Sequence, residues 1–170
     1  HCEHAFWLEY ARLSGLSVVV RWHRVDRCNP TPQQTTSRVV STAVPDLNAI
    51  VKAYDIRGIV PDQLDADVAY AIGVAFAKFA NAPHIVIAHD MRPSGPELVD
   101  AFQRGVLAHG VSVTNLGLAS SDLLYYASGK LDSPGAMFTA SHNPAQYNGI
   151  KCCLSGARSI GIDNGLREIH

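Results

Sequence analysis

The sequence predicts an α/β fold, a three-layer α/β/α domain whose sheet lies between two helix layers, preceded by an atypical N-terminal extension. Three observations predict it. Short apolar runs with polar ends, such as His84-Ile85-Val86-Ile87-Ala88-His89, read as strands buried on both faces, which is the parallel habit. Between them lie longer stretches in which apolar residues recur every three or four positions, the period of a one-sided helix. Composition also permits a sizeable core, because 47% of the 170 residues are apolar and only 17% are charged.

Residues 1–48 have a different texture, with apolar patches at Phe6-Trp7-Leu8 and Leu16 to Val20, and arginines at 21, 24 and 27. Asn29 to Ser37 is a polar, proline-bearing linker. These apolar runs are too short for a secretion signal. The stretch reads as a poorly ordered or loosely docked extension, or as a mis-assigned translation start. Cys2, His4, His23 and Cys28 raise the question of a metal. Their irregular spacing lacks the tight pairs of zinc sites, so they read as incidental.

The domain is expected to span residues 49–170. Ala49 to Tyr54 reads as its first strand and Asp55-Ile56-Arg57-Gly58 as the loop leaving it. Asp65 is a candidate N-cap, and Val68, Ile72, Phe76 and Phe79 mark one helical face, which Asn81-Ala82-Pro83 ends. After the strand at 84–89 comes the loop Asp90 to Pro96. A second helix follows, with Leu98, Val99, Phe102 and Val106 inward and Gly110 closing it. Val111 to Leu116 is the next strand. A short helix from Asp122 to Ser128 is capped by Gly129. Ala136-Met137-Phe138 is a buried strand, Asn148-Gly149 a turn pair, and Ile150-Lys151 the resumption of extended chain.

The charge balance excludes some functions. A net charge of −1 argues against a nucleic-acid surface, and no apolar run approaches the roughly 18 residues that span a bilayer. The four cysteines, Cys2, Cys28, Cys152 and Cys153, read as free thiols of a reducing compartment, the cytoplasm. The start at His1 and the end at Ile169-His170, within an apparent helix start, read as those of a fragment.

The chemistry concentrates between Gly135 and Lys151. A strand breaks into Thr139-Ala140-Ser141-His142-Asn143 and stops at Pro144, which places a serine hydroxyl on a loop held at both ends. In alternating α/β sheets, ligands bind beyond the carboxyl ends of the strands. The Asp55–Arg57, Asp90–Arg92 and Ser141 loops all follow expected strands and would converge there. A hydrolase is a poor reading, because adjacent Ser141 and His142 make no triad and no GxSxG elbow is present. An ordinary turn remains the bland alternative.

Thr139-Ala140-Ser141-His142-Asn143-Pro144 resembles the active-site serine loop of the α-D-phosphohexomutases, the phosphomannomutase/phosphoglucomutase family. Lys151, ten residues after Ser141, falls at that family's active-site lysine, and Lys52-Ala53-Tyr54-Asp55-Ile56-Arg57-Gly58 resembles the motif opening its first domain. The resemblance covers residues 49–170 and implies the first of four domains, with a mixed, mostly parallel sheet. It implies an intramolecular phosphotransferase that interconverts hexose 1-phosphate and hexose 6-phosphate, of mannose or glucose. Ser141 would carry the phosphoryl group as phosphoserine, through a hexose 1,6-bisphosphate intermediate, and its phosphate would be a ligand of Mg2+. Arg57 and His142 would position or neutralise oxygens, and Lys151 would act as a general acid/base or a nearby positive charge. Tyr54, Arg57, Thr139, Asn143 and Lys151 would contact substrate, with Tyr54 and Asp55 also shaping their loop.

Plainer alternatives stand beside these roles. Arg57 could be an ion pair with Asp55, His142 a structural donor and Lys151 a solvated strand-end lysine, and Arg92 matches a family position only loosely. The family's Asp-Gly-Asp-Gly-Asp metal loop has no counterpart, since Asp163-Asn164-Gly165 carries one carboxylate. Many family members have a proline-rich turn where this chain has Ala119-Ser120-Ser121-Asp122. Thr139 leans mildly away from the phosphoglucosamine mutases. The expected partners are a hexose phosphate substrate and the remaining domains of a parent chain, with no nucleic acid or membrane, and the fragment alone is expected to be inactive. The alternative function is a non-catalytic sugar-phosphate-binding domain that keeps the fold. A third reading, a hydrolase using Ser141, needs a histidine and an acid from elsewhere.

Overall fold

The computed structural model describes residues 5–12, 18–25 and 47–169, in two compact units, one ending at Val44 and the other beginning at Pro45. The first unit contains two strands, β1 (Ala5–Arg12) and β2 (Val18–Val25), paired antiparallel with Ala5 opposite Val25 and Arg12 opposite Val18. The sequence reading assigned no element there. Cys2, His4 and Cys28 lie outside the described residues.

The second unit runs α1 (Leu47–Ile50), β3 (Ile56–Ile59), α2 (Ala66–Ala80), β4 (His84–His89), α3 (Gly95–Ala108), β5 (Ser112–Leu118) and α4 (Ser121–Leu131). It continues through β6 (Gly135–Phe138), β7 (Tyr147–Leu154), β8 (Arg158–Ser159) and α5 (Arg167–Ile169). Its sheet has the order β3-β7-β6-β4-β5, with β8 added on β7. β4 pairs parallel with both β5 and β6, whereas β7 runs antiparallel to β3, β6 and β8. Every strand of the sheet except β7 therefore points the same way, and the sheet is mixed and mostly parallel, as expected.

The strands are apolar throughout because both faces are covered. In β4, Ile85 and Ile87 join the core beneath α2 and α3, while Val86 and Ala88 pack with Leu124 and Ala127 of α4. Phe102 of α3 meets Phe138 of β6 edge to face, with ring centroids 5.3 Å apart. That contact anchors the strand leading into the serine loop.

Asp65 caps α2 as expected, its Oδ1 accepting from the Val68 N–H at 2.8 Å, and Asn81 ends the helix in the left-handed region. Helices α2 and α3 cross on two glycines. A Cβ at Gly73 would lie 2.3 Å from the Phe102 carbonyl oxygen, and one at Gly105 would lie 2.2 Å from that of Tyr70.

Three local expectations are corrected. Ala49 to Tyr54 is not a strand. Leu47–Ile50 forms a helical turn, Val51 makes a single bridge to Ile56, and the Lys52 N–H donates to the Asp55 carbonyl at 2.8 Å. The run is apolar because Ile50 is buried in the core, and burial alone does not separate a helical turn from a strand. The strand is instead the stretch read as a loop, with Arg57 on β3. Asn148-Gly149 is no turn but part of β7, where a Cβ at Gly149 would meet the Ile56 carbonyl oxygen at 2.4 Å. Here glycine marks close backbone approach. Gly129 lies within α4, and Asp132 takes the left-handed closing conformation.

Cys152 and Cys153 are both buried and unpaired to each other. They alternate across β7, with Cys152 in the core beneath α2 and α3 and the Cys153 Sγ donating to the Ser128 Oγ at 3.4 Å. Burial pushes both thiols upward, and for Cys153 the hydrogen bonds to Ser128 and Gly135 partly oppose it. Among the described residues no helix is long and apolar enough to cross a membrane.

Two outcomes are expected. Gly73→Ala gains about 1 kcal/mol of helix propensity but loses about 3 kcal/mol to overpacking, so a denaturant titration should show net destabilisation. An unchanged midpoint would mean that the helices can separate freely. The buried thiols remain neutral when folded and ionise when unfolded. Their contribution is intact below about pH 8.5 and declines as pH rises above it. Titrations at pH 7, 9 and 10 should reveal that decline. At pH 9 it should shrink in a Cys152→Ala/Cys153→Ala double variant, whereas the Tyr125 phenol, also pushed upward by burial, leaves a residual decline toward pH 10.

Candidate functional site

The loop of residues 139–146 joins β6 to β7 and reverses the chain. The Thr139 N–H donates to the Gly149 carbonyl at 3.0 Å, which extends the β6–β7 pairing one residue beyond the strand. Met137 lies opposite Lys151, and Arg57 opposite Gly149. Side chains alternate along a strand, so Met137, Lys151, Thr139 and Arg57 share one sheet face. It is the face that α4 covers, since Met137 packs with Leu124. Gly149 lies between Arg57 and Thr139, and a Cβ there would also meet the Thr139 carbonyl oxygen at 2.9 Å.

Ser141 is exposed at the start of the reversal, with φ +51°, the left-handed region that non-glycine residues seldom occupy. Such conformations cost about 1–3 kcal/mol and persist only where surrounding structure imposes them. The Ser141 N–H donates to the Thr139 Oγ1 at 3.1 Å, and its Oγ lies 3.4 Å from the Nδ1 of His142, also exposed. Asn143 donates twice to the Ala140 carbonyl, from its N–H at 3.0 Å and from its Nδ2 at 2.9 Å.

Arg92, kept by the sequence only as a loose match, proves central to the loop. Its side chain is 9% exposed. Nη1 donates to the carbonyls of Pro144 (2.9 Å) and Tyr147 (2.7 Å), and Nη2 to those of Ser141 (3.0 Å) and Asn143 (2.8 Å). Asp90 holds Arg92 in turn: its Oδ1 accepts from the Arg92 N–H at 3.0 Å, and its Oδ2 lies 3.5 Å from Nε, outside hydrogen-bond geometry. The Asp90 N–H donates to the Phe138 carbonyl at 2.9 Å, so the ends of β4 and β6 are joined. The buried Asn148 donates from Nδ2 to the Ser94 Oγ at 2.9 Å, tying β7 to the start of α3.

The Asp90–Arg92 and Ser141 loops therefore meet, as the alternation of elements implied. Asp55 and Arg57 reach the same end of the sheet by another route, through the pairing of β3 with β7. Arg57 forms an ion pair with Asp55, both largely buried, and its Nε is buried without a partner. Lys151 is half-buried and has no ion-pair partner among the described residues. Tyr54 is 80% exposed and lines a cleft of about 360 Å3 with Ala53 and residues 159–164, to which residues 139–147 contribute nothing. Among the described residues no three His, Cys, Asp or Glu side chains cluster closely enough to hold a metal ion. A single serine hydroxyl is too small a donor set for Mg2+, which wants about six oxygens, so the residues present do not fit that ion by themselves.

Residues 48–169 match the family described as phosphoglucomutase/phosphomannomutase, alpha/beta/alpha domain I. Phosphohexose mutases of Xanthomonas campestris are 44% identical over 120 residues, covering 70% of this chain and 27% of theirs. A phosphoglucomutase of Neisseria gonorrhoeae is 46% identical over 116 residues, 66% of this chain and 25% of its own length. A solved phosphoglucomutase/phosphomannomutase family protein from Burkholderia thailandensis superposes with a TM-score of 0.66 at 38% identity, over 72% of this chain and 29% of its own. The chain thus spans about a quarter of the length of these relatives.

Asp55→Asn should remove the charge that pairs with a largely buried Arg57. A loss of about 2–4 kcal/mol is expected by denaturant titration, most of it recovered in Asp55→Asn/Arg57→Met, since the cost lies in the unpaired cation. Equal losses in the single and double variants would show that packing, and not charge, dominates.

Proposed function

The chain belongs to the phosphoglucomutase/phosphomannomutase family as its α/β/α domain I, and from that premise we propose that it supplies the phosphoryl-carrying serine of a hexose phosphate mutase. One observation carries this reading: the exposed Ser141 hydroxyl sits in a strained turn whose carbonyls are held by four hydrogen bonds from the Arg92 guanidinium. A carrier must present one oxygen repeatedly in the same place, and positioning is most of what phosphoryl transfer asks of a protein.

In the first half-reaction the Oγ–P bond of phosphoserine 141 breaks and a P–O bond forms to the free hydroxyl of a hexose monophosphate. That hydroxyl's proton passes to a base, and Ser141 regains a proton. The bisphosphate then turns end for end, its other phosphoryl group returns to the Ser141 Oγ, and the isomeric monophosphate leaves. Charge spreads over the phosphoryl oxygens as they move, so fixed cations favour the transfer. Arg57 and Lys151 share a sheet face with Thr139, the residue that accepts from the Ser141 N–H. We assign Arg57 to the phosphoryl oxygens and Lys151 to proton transfer or charge at the reacting hydroxyl. We assign His142, whose Nδ1 lies 3.4 Å from the Ser141 Oγ, to bonding a phosphate or sugar oxygen. Thr139 and Asn143 act by shaping the loop, and Tyr54 offers an exposed ring to the sugar.

A Mg2+ ion would neutralise phosphate charge, and its other ligands must come from outside these residues. The chain by itself is therefore expected not to turn over. Buried free thiols suit a reducing compartment and support a cytoplasmic setting. Relatives of both names, phosphomannomutase and phosphoglucomutase, leave the preferred hexose open between mannose and glucose.

The test is phosphopeptide mapping of the full-length parent after incubation with glucose 1,6-bisphosphate and Mg2+. Phosphate is expected on Ser141 and should be discharged by excess mannose 1-phosphate or glucose 1-phosphate. Ser141→Ala should lower kcat at least about a thousandfold. A folded parent that never carries phosphate on Ser141 would support a non-catalytic sugar-phosphate-binding domain in place of the mutase.

A further inference from the structure

We infer that Arg92 is a positioning residue that sets the polarity of the Ser141 loop: it holds the loop's carbonyls inward and thereby turns the His142 N–H outward, toward a phosphate on Ser141. The inference deepens the phosphocarrier reading and rests on it for its purpose, though not for its geometry.

A loop that reverses direction in a few residues cannot satisfy its carbonyls in a ladder, and a buried unpaired carbonyl is costly. The guanidinium is a planar fork of five donors. Four of its hydrogens go to the carbonyls of Ser141, Asn143, Pro144 and Tyr147, from a side chain that is 9% exposed. Among the described residues no other side chain binds that many groups of the loop. Asp90 offsets part of the charge from behind, at 3.5 Å from Nε.

The polarity then follows from the peptide unit. A trans peptide is planar, and its N–H points away from its C=O. When the Ser141 carbonyl faces Arg92, the N–H of the same peptide unit, that of His142, faces away from it. The Pro144 carbonyl fixes the Ala145 N–H in the same way, whereas the Asn143 carbonyl precedes a proline and has no N–H opposite. Among the described residues neither the His142 nor the Ala145 N–H has a hydrogen-bond partner, whereas those of Asn143 and Tyr147 bond within the loop. The His142 N–H belongs to the residue directly after the carrier serine, within reach of a phosphate on its Oγ. An outward backbone donor next to a left-handed residue is the geometry of an anion-binding concavity. The cation itself stays behind the loop, so Arg92 acts through the backbone and touches no substrate. Lysine cannot replace it, because three donors on one nitrogen cannot reach carbonyls spread over seven residues.

The test needs no mutase activity. The 170-residue chain is prepared with phosphoserine installed at position 141 during translation, and its amide spectrum is followed from pH 5 to 7.5. The His142 amide proton should move downfield as the phosphate gains its second charge near pH 6, by more than in the chain with unmodified Ser141, the comparison that removes any contribution of the adjacent imidazole. In Arg92→Lys that response should be lost, and the Asn143 and Tyr147 amides should exchange at least about tenfold faster, while Ile85 to Ala88 in β4 hold their protection. In the full-length parent the same variant should lower kcat about a hundredfold with KM within threefold. A His142 amide that ignores the phosphate in the unsubstituted chain overturns the inference, as does an Arg92→Lys variant that keeps the response. Equal loss of protection in β4 would make Arg92 a general stabiliser and overturn it too. An amide that responds as expected in a parent without mutase activity would sink the phosphocarrier reading and leave the loop polarity standing.

Discussion

The structure depends on one reversed strand. β7 runs against β3 and β6 and lies between them, so the chain leaving β6 must turn back at once instead of crossing over through a helix. The preceding returns, from β3 to β4 to β5 to β6, each have a helix to absorb the distance. The last has only residues 139–146. The Gln146 carbonyl accepts from the Val60 N–H and that of Ala140 from Asn143, but the other carbonyls from Ser141 onward have no ladder to join. The reversal thus creates an exposed apex and an unmet demand for donors behind it. The guanidinium of Arg92, delivered from the neighbouring strand end, meets that demand. The left-handed conformation of Ser141 is a consequence, because a turn pinned at both ends leaves its first exposed residue little choice.

The same reversal explains which parts of the fold were legible in the sequence. Helices α2 and α3 and strand β4 were readable because each obeys a single rule along its length: a 3.6-residue apolar period, or a run apolar on both faces. The mixed sheet was not readable from periodicity and came only with the family resemblance. Tyr147 to Leu154 mixes Asn148, Gly149 and Lys151 with apolar residues, since β7 passes beneath the loop and past β3 at close range. There glycine serves contact distance and asparagine bonds to Ser94, uses that look like a turn when only residue types are seen. The first motif misled for a related reason. Ile50 and Ile56 are both buried, but a tight turn at Lys52–Asp55 separates them, and apolar character does not record a turn.

The site was legible in part. Ser141, His142 and Asn143 could be picked out because small polar residues after a buried strand mark a functional loop. Arg92 could be kept only as a loose match and its role could not be read, because its partners are backbone carbonyls, which look alike whatever residue bears them. The available signal was positional: an arginine followed by proline, just after a parallel strand, where the chain must leave the sheet at its ligand-binding end. Side chains that act on backbone leave no complementary residue type to search for, unlike the Asp55–Arg57 pair, which shows itself in three consecutive letters.

That pair and its counterpart repeat one local pattern. Asp55-Ile56-Arg57 and Asp90-Met91-Arg92 each set an aspartate two residues before an arginine, near a strand end, with the arginine largely buried. They differ in what the guanidinium does next. Arg92 commits both Nη groups to the loop. Arg57 has Asp55 as its ion-pair partner and Nε without one, so donors remain to it. A carboxylate is a tolerable but replaceable partner for a guanidinium, and a phosphoryl group carrying more charge competes well for the same fork. In the proposed mutase, Arg57 would be held by Asp55 until a phosphate arrives, oriented without being consumed. Two arginines of one pattern would then divide the work, one fixing where the phosphate sits and the other receiving its charge.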